Sequence, residues 1–475
     1  MTSVPGNPLV VDLDGTLTRS DLLFESVCGL LKQNLLYGFV LPFWLVGGKA
    51  HMKQKIADRV DVETDLLPWN DEFVDYLKEQ KAAGRRLILA TASNIKYAQQ
   101  IADQLDLFDD VIASDASVNR SGSNKVAAVR EILGDQPFDY AGNAEVDLKV
   151  WKEAAGAVLV NAPPGLEQSA EQIVEVERVF DSRAPQLKSF IRAIRAHQWL
   201  KNFLLFVPLV VSHQVTNVTL FTNTLLAFMA FSLCASSVYL LNDLFDLSSD
   251  RQHPRKCKRP FAAGDLPLVM GFVGLVGMLA AAFAIALLLP SEFFIALLGY
   301  YILTMAYSAA LKRAAIVDVL TLAALYTMRL IAGAAAISVE PSFWLLAFSM
   351  FTFLSLALIK RYSELLVQAS QGKDRLAGRA YRFEDLETLA QMGAASGYLA
   401  VMVLALYIHS DETLALYSRP VALWLLCPIM LYWISRLWLL TRRGEMHDDP
   451  VVFTIRDRRT HWLLVIAGAA LLAAI

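Results

Sequence analysis

The sequence predicts two domains of different class: a doubly wound α/β domain first, then an all-α, multi-pass membrane domain of about nine transmembrane helices. Three observations lead there. The chain has 475 residues, more than the roughly 100–200 of one ordinary domain. Hydrophobic residues make up 55% and charged residues 19%, with a mean hydropathy of +0.42, which excludes a disordered chain and argues against a wholly soluble one. The net charge of −3 also hides a split. Residues 1–180 carry 27 acidic and 17 basic side chains, the remainder 19 and 26. An acidic, water-compatible part is joined to a basic, apolar part. The expected boundaries are 1–178 for the first domain, 179–196 for a connector and 197–475 for the membrane domain.

In the first domain, residues 9–16 read as an apolar strand ending in Asp12, Asp14 and a Gly15 turn. Leu87–Ala90 is a second apolar strand, ending at Thr91-Ala-Ser93-Asn94. Lys125 precedes a helix, and Phe138–Ala141 runs into Gly142-Asn143-Ala-Glu145-Val-Asp147. Alternating strands and helices imply a parallel sheet with these polar groups at the strand C-terminal ends, where such sheets bind ligands. The order and type of these motifs resemble the haloacid dehalogenase (HAD) superfamily, over roughly residues 7–170. The resemblance implies a Rossmann-like HAD phosphatase in which Asp12 is the nucleophile, forming an aspartyl-phosphate. It implies Asp14 as acid/base and, through its backbone, as Mg²⁺ ligand. Asp12 and Asp147 complete the metal's protein partners, while Thr91, or Ser93, and Lys125 bind phosphoryl oxygens. One position departs: the family's GDxxxD reads Gly142-Asn143-Ala-Glu-Val-Asp147, and Asn143 supplies an amide oxygen without charge. A catalytically silent domain, kept for docking, stability or regulation, is therefore the alternative.

Residues 21–86 are long enough for a helical cap. Within it, 34–48 is apolar but too short to span a bilayer. It reads either as cap core or as an interfacial segment with Tyr37 and Trp44 as anchors. The four cysteines, Cys28, Cys234, Cys257 and Cys427, have no metal or disulfide-framework spacing. No signal peptide opens the chain, since Pro8–Val11 leads directly into Asp12. The N-terminal domain is expected in the cytoplasm.

Apolar runs follow near 202–214, 219–241, 267–290, 293–310, 315–337, 342–360, 391–409, 420–440 and 460–475, several approaching the roughly 20 residues a span requires. Loops 242–266, 311–314, 361–390 and 441–459 are rich in Lys and Arg, whereas the alternate loops hold only Arg419. That asymmetry orients the first set to the cytoplasm, so a cytoplasmic (inner) membrane location is expected.

The first cytoplasmic loop holds Asn242-Asp243-Leu-Phe-Asp246-Leu-Ser-Ser-Asp250-Arg251, then His253-Pro254-Arg255-Lys256-Cys-Lys258-Arg259-Pro260. If the preceding span continues as a helix, Asp243, Asp246 and Asp250 share one face at i, i+3 and i+7. Clustered carboxylates call for a cation, and Mg²⁺ fits because it pairs a few carboxylates with water and phosphate oxygens. The bases that follow suit further phosphate. Tyr307, Lys312 and Asp318 form a second candidate, and Lys360 and Arg361 a third. Each alone is an ordinary interfacial anchor; together on one side they suggest an anion-binding pocket. Arg329, inside a span, needs a buried or interfacial partner.

The NDxxDxxxD motif among such spans resembles the UbiA superfamily of intramembrane transferases. Its extension DRxHPxKxxRP, with Arg195-Ala-His197-Gln198-Trp199-Leu-Lys201-Asn202 and Tyr307 to Arg329, is more similar to the decaprenyl-phosphate phosphoribosyltransferase branch, over about 187–475. The resemblance implies a UbiA fold with phosphoribosyl diphosphate bridged by Mg²⁺ to Asp243, Asp246 and Asp250. A polyprenyl phosphate (decaprenyl in the branch) would be the acceptor, its tail among membrane lipid, for lipid-linked pentose and cell-wall glycan synthesis. Asn242, Arg251, Lys256, Arg259, Tyr307, Lys312, Asp318, Lys360 and Arg361 are then substrate-binding candidates, with the bases not divided between the two phosphates. Lys201 and Asn202, with His197 and Trp199, read equally as site or interfacial belt. Prenyl transfer to an aromatic quinone precursor is the rival, since both donors offer a diphosphate. No nucleic acid is expected among the partners, and the oligomeric state is left open.

Overall fold

Strands β1 (Leu9–Val11), β2 (Leu87–Asn94), β3 (Asp110–Ser114), β4 (Asp139–Gly142), β5 (Gly156–Val160) and β6 (Glu175–Phe180) lie in the order β3-β2-β1-β4-β5-β6. Every neighbouring pair is parallel. The computed structural model describes residues 6–370, 378–411, 413, 417–446 and 449–474; parts of the expected loops 361–390, 410–419 and 441–459, and the last residue of 460–475, lie outside them. Successive strand residues point to opposite faces, and in the central strands β1, β2, β4 and β5 both faces are buried. Leu9, Val11, Leu87 and Leu89 pack into one cluster, while Val10, Ile88, Tyr140 and Leu159 pack into another. Two buried faces are why these strands read as continuous apolar runs.

Arg85, just before β2, ties the sheet's lower edge. Its guanidinium donates to Asp139 at 2.5 Å and to the Asn7 carbonyl at 2.8 Å, with little exposure of either charge. Removing one partner strands the other as a buried charge. Arg85→Ala is therefore expected to cost about 3–5 kcal/mol, read as a lower thermal unfolding midpoint in detergent. An unchanged midpoint would show the pair to be dispensable.

Asp21 opens the cap by accepting from the amides of Leu23 (2.9 Å) and Phe24 (3.3 Å) at the start of helix Leu22–Gln33. Helices Tyr37–Val46 and Lys49–Ala57 follow. The next helix, Asp71–Ala82, packs Phe73, Val74 and Leu77 into a sheet cluster, so the C-terminal part of the expected cap range belongs to the α/β core. β6 runs two residues past the expected boundary, and the connector carries helix Gln186–Ala193.

The chain divides into two compact units, and the division is not linear. Residues up to Ile194 group with Tyr239–Leu275; Arg195–Val238 groups with the rest from Val276. Contacts between the cap and the aspartate loop explain the first grouping. The Phe24 ring lies 6.1 Å from that of Phe272, and Glu25 is ion-paired with Arg251 at 2.5 Å.

Seven helices among the described residues are long and apolar enough to cross a membrane: Val218–Phe245, Leu268–Ala286, Ser291–Ala309, Val317–Ala336, Phe343–Ala369, Phe383–Ile408 and Pro420–Arg442. The protein is an integral membrane protein. The two outermost expected spans differ from expectation. Of residues 202–214, those to Phe206 lie in a 3₁₀ segment, Ala196–Phe206, and Val207–Val211 form a short helix; Lys201 and Asn202 in that segment are held by Asp449 and Ser232. The last helix, Arg458–Ala474, has 17 residues and starts with two arginines. In the second unit, helices close through small residues: a Cβ on Gly393 would lie 1.9 Å from Trp438, whose indole donates to Ser355 at 3.1 Å.

Candidate functional site

The C-terminal edge of the sheet gathers the first site. β1 delivers Asp12, whose carboxylate accepts from Lys125 Nζ at 2.8 Å. Lys125 comes from helix Ser123–Leu133 and also donates to the Tyr140 hydroxyl at 2.7 Å; Tyr140 donates to Asp147 at 2.8 Å. The other Asp147 oxygen accepts from the amides of Asn143 (3.1 Å) and Ala144 (3.0 Å). Asp14 accepts from the Leu22 amide at 2.8 Å, from Ser93 at 2.7 Å and from Thr91 at 3.3 Å. Gly15, at φ +76°, makes the turn; a Cβ there would lie 2.0 Å from the Asn143 side-chain amide. Asp12, Asp14, Asp147, Thr91, Lys125 and Ser93 thus converge. Tyr140 and Lys53 join them without a sequence signal: Tyr140 reads as strand core, and Lys53 reaches in from the cap to the Ala92 carbonyl at 2.5 Å.

Over this floor lies a cavity of about 640 Å³, walled partly by Arg19, Lys53, Asn143 and Gly264–Val269, where helix Leu268–Ala286 begins. Burial pushes Asp12 up to about 7, with Asp147 and Asp14 adding to the rise and Lys125 opposing it. Burial and Asp21 raise Asp14 to about 6. Carboxylates that resist ionisation fit a site completed by a cation. No three His, Cys, Asp or Glu side chains among the described residues form a metal cage, yet Mg²⁺ commonly uses one or two carboxylates plus substrate phosphate. Both groups hold protons more tightly when folded. Their stabilising contribution is full below the ordinary value of 3.8 and is lost as pH rises through about 7 for Asp12. With chelator, the unfolding midpoint should therefore fall between about pH 5 and pH 8, and fall less in Asp12→Asn. Mg²⁺ should raise it more at the higher pH. Identical pH curves for both proteins would refute this.

The aspartate loop lies in the same unit. The helix from Val218 ends at Phe245 rather than running on through the motif, and a new one, Leu247–Arg251, starts at Asp246. Despite the break, Arg259 joins the two ends, donating to Asp243 at 3.0 Å and to Asp250 at 2.6 Å. The other Asp250 oxygen is buried without a hydrogen bond; Lys256 is 3.9 Å away. Burial raises the Asp250 pKa, against Arg259. Asn242 accepts the Asp246 amide at 3.0 Å through its carbonyl. Arg251 points elsewhere: it donates to Glu25 at 2.5 and 3.3 Å and to the Ala262 carbonyl at 3.1 Å. Ser20 donates to the same Glu25.

In the second unit, Asp318 is fully buried. Arg361 approaches it at 2.6 Å, Arg379 at 2.7 Å and the Tyr307 hydroxyl at 2.8 Å. Arg361 also pairs with Glu364. Lys312 sits in the turn Leu311–Arg313. A separate cluster joins Lys201 and Lys360, at 2.7 and 3.1 Å from one carboxylate of Asp449. Burial alone would raise Asp449; the two ammonium groups reverse that and hold it well below the usual carboxylate range. Asn202 instead accepts from Arg329 at 2.9 Å and donates to Ser232 at 2.9 Å, which supplies the buried partner Arg329 requires. Asp449 and Arg379 stand in loops remote from every motif, which is why sequence reasoning missed them.

The model of the UbiA prenyltransferase family matches residues 203–464, over half of the chain. The chain belongs to the UbiA prenyltransferase family. Residues 9–150 of this UbiA protein match haloacid dehalogenase-like hydrolase. The Sinorhizobium fredii protein y4nM is 35% identical over 473 residues, 98% of this chain and 91% of that protein. Nodulation protein NoeC of Azorhizobium caulinodans is 34% identical over 286 residues, 60% of this chain and 91% of NoeC. Decaprenyl-phosphate phosphoribosyltransferase of Mycolicibacterium smegmatis is 30% identical over 281 residues, 57% of this chain and 87% of that enzyme. The UbiA and HAD-like parts are thus those of a transferase and a hydrolase fold, and the y4nM alignment runs through both.

Proposed function

We propose that this UbiA protein transfers the 5-phosphoribosyl group of phosphoribosyl diphosphate to a polyprenyl phosphate, and that its HAD-like domain then removes the 5-phosphate. The setting is lipid-linked pentose synthesis for cell-envelope glycan, at the cytoplasmic face of the inner membrane. The carrying observation is Asp243 and Asp250 drawn together on Arg259, with one buried Asp250 oxygen unbonded. The phosphoribosyltransferase relative supports the choice of donor and acceptor. Asp243, Asp250 and Asp246 would hold Mg²⁺, which when bound neutralises charge on the departing diphosphate. Arg259, freed from the carboxylates, and Lys256 would turn to phosphate oxygens. The acceptor's phosphate oxygen attacks C1 as the C1–O bond to diphosphate breaks.

In the HAD-like domain, Asp12 would attack the 5-phosphate, with Lys125, Ser93 and Thr91 stabilising phosphoryl oxygens. Asp14, raised to about 6, suits giving a proton to the leaving ribose hydroxyl and taking one from the water that hydrolyses the acyl phosphate. The cavity wall at Gly264–Val269, where a membrane helix starts, supports a substrate carried on lipid.

The test offers purified protein, Mg²⁺ and polyprenyl phosphate either labelled phosphoribosyl diphosphate or labelled prenyl diphosphate with 4-hydroxybenzoate. A labelled pentosyl lipid is expected from the first. Prenylated aromatic product, with no reaction from the sugar donor, would establish the rival that the family's description favours.

A further inference from the structure

Helix Tyr37–Val46 has no buried residue although it is apolar throughout. Its two faces differ. Tyr37, Leu41 and Trp44, spaced i, i+4 and i+7, pack on the cap cluster around Leu30, Ile56 and Val60. Leu36, Phe39, Phe43 and Val46 form the opposite stripe and are 64, 76, 77 and 88% exposed. In water such a stripe is costly and invites aggregation. Lys32 and Lys49, both exposed, flank it at either end. We propose that this stripe is a membrane-docking surface, buried in the headgroup and upper acyl region of an anionic bilayer.

The occupant follows from where the cap is held. Helix Leu22–Gln33, three residues upstream, touches the ends of two membrane-crossing helices. Phe24 stacks near Phe272, in the second turn of Leu268–Ala286. Glu25, Cys28 and Lys32 line a cleft with Leu244 and Phe245, at the end of Val218–Phe245. The cap is therefore anchored within a few side chains of bilayer level, and the stripe belongs to its next helix. Phenylalanines and leucine provide the apolar face, and the flanking lysines provide the attraction to anionic headgroups. The docking is independent of whether either proposed reaction occurs. Its consequence for a phosphatase is selectivity, because a cap fixed to lipid keeps the cavity over Asp12 close to membrane-borne phosphomonoesters.

The test uses the full-length protein in single-copy nanodiscs of phosphatidylcholine with phosphatidylglycerol. Phe43→Cys, in a Cys257→Ser background whose other cysteines are buried, carries an environment-sensitive fluorophore. Blue-shifted emission, quenched at least twofold by doxyl-labelled lipid and little by aqueous iodide, is the expected result. Val46→Cys provides a second position at the end of the helix should the first variant misfold. Water-like emission open to iodide at both positions would overturn the proposal. So would shielding that exists only in concentrated detergent solution and vanishes in single-copy discs, since that marks a second copy as the occupant.

Discussion

Asp243→Asn and Asp250→Asn are each expected to lower formation of the lipid product by at least about 10²-fold, with the protein still folded. The magnitude is that of several kcal/mol of charge stabilisation withdrawn from a departing diphosphate. Asparagine keeps the shape of each side chain, and Arg259 is partly exposed, so loss of its partner does not leave a deeply buried charge. The measurement is product formation across a Mg²⁺ titration, alongside the elution profile. Near-normal turnover of both variants at limiting Mg²⁺ would remove these carboxylates from the reaction.

Asp12→Asn is expected to abolish phosphate release, by about 10⁴-fold or more, because a neutral amide cannot form the acyl phosphate and loss of a nucleophile is of that order. Transfer should continue, so the lipid-linked 5-phosphoribose accumulates. Tethering the two domains raises the local concentration of one product for the other site, into the millimolar range for short flexible linkers. An identical ratio of phosphorylated to dephosphorylated lipid in wild type and variant would show the domain to be silent. Asn143 stands where the related motif carries a charged residue, and such a result would assign the loss to it.

The α/β fold was legible because its central strands are short and doubly buried and carry Asp12, Thr91 and Gly142 at or near their C-terminal ends. Lys125, far along the chain, was legible only as part of an ordered set of motifs. What sequence could not reveal depends on distance in the chain. Tyr140 carries the link from Lys125 to Asp147, yet in a strand its ring is indistinguishable from core. Asp449 satisfies Lys201 from 248 positions away, and no spacing rule reaches so far. The aspartate loop shows the converse. Helical spacing placed three carboxylates on one face, whereas Asp246 interrupts the helix and Arg259 joins Asp243 to Asp250. Apolar length gave no sign that residues 202–206 form a 3₁₀ segment rather than a regular span.

The Glu25–Arg251 pair carries a consequence for inheritance. Both charges are nearly enclosed, one in the cap and the other in the aspartate loop. A gene split after Ile194 would give an N-terminal half with a carboxylate deprived of its guanidinium, and a membrane half with the reverse defect. Once separated, both groups regain water, so what the fragments lose is the enclosed pair and the cap-to-loop contact it holds. A hydrolase moved onto another carrier would dock in the same way only where that carrier offered Glu25 a guanidinium in the place of Arg251.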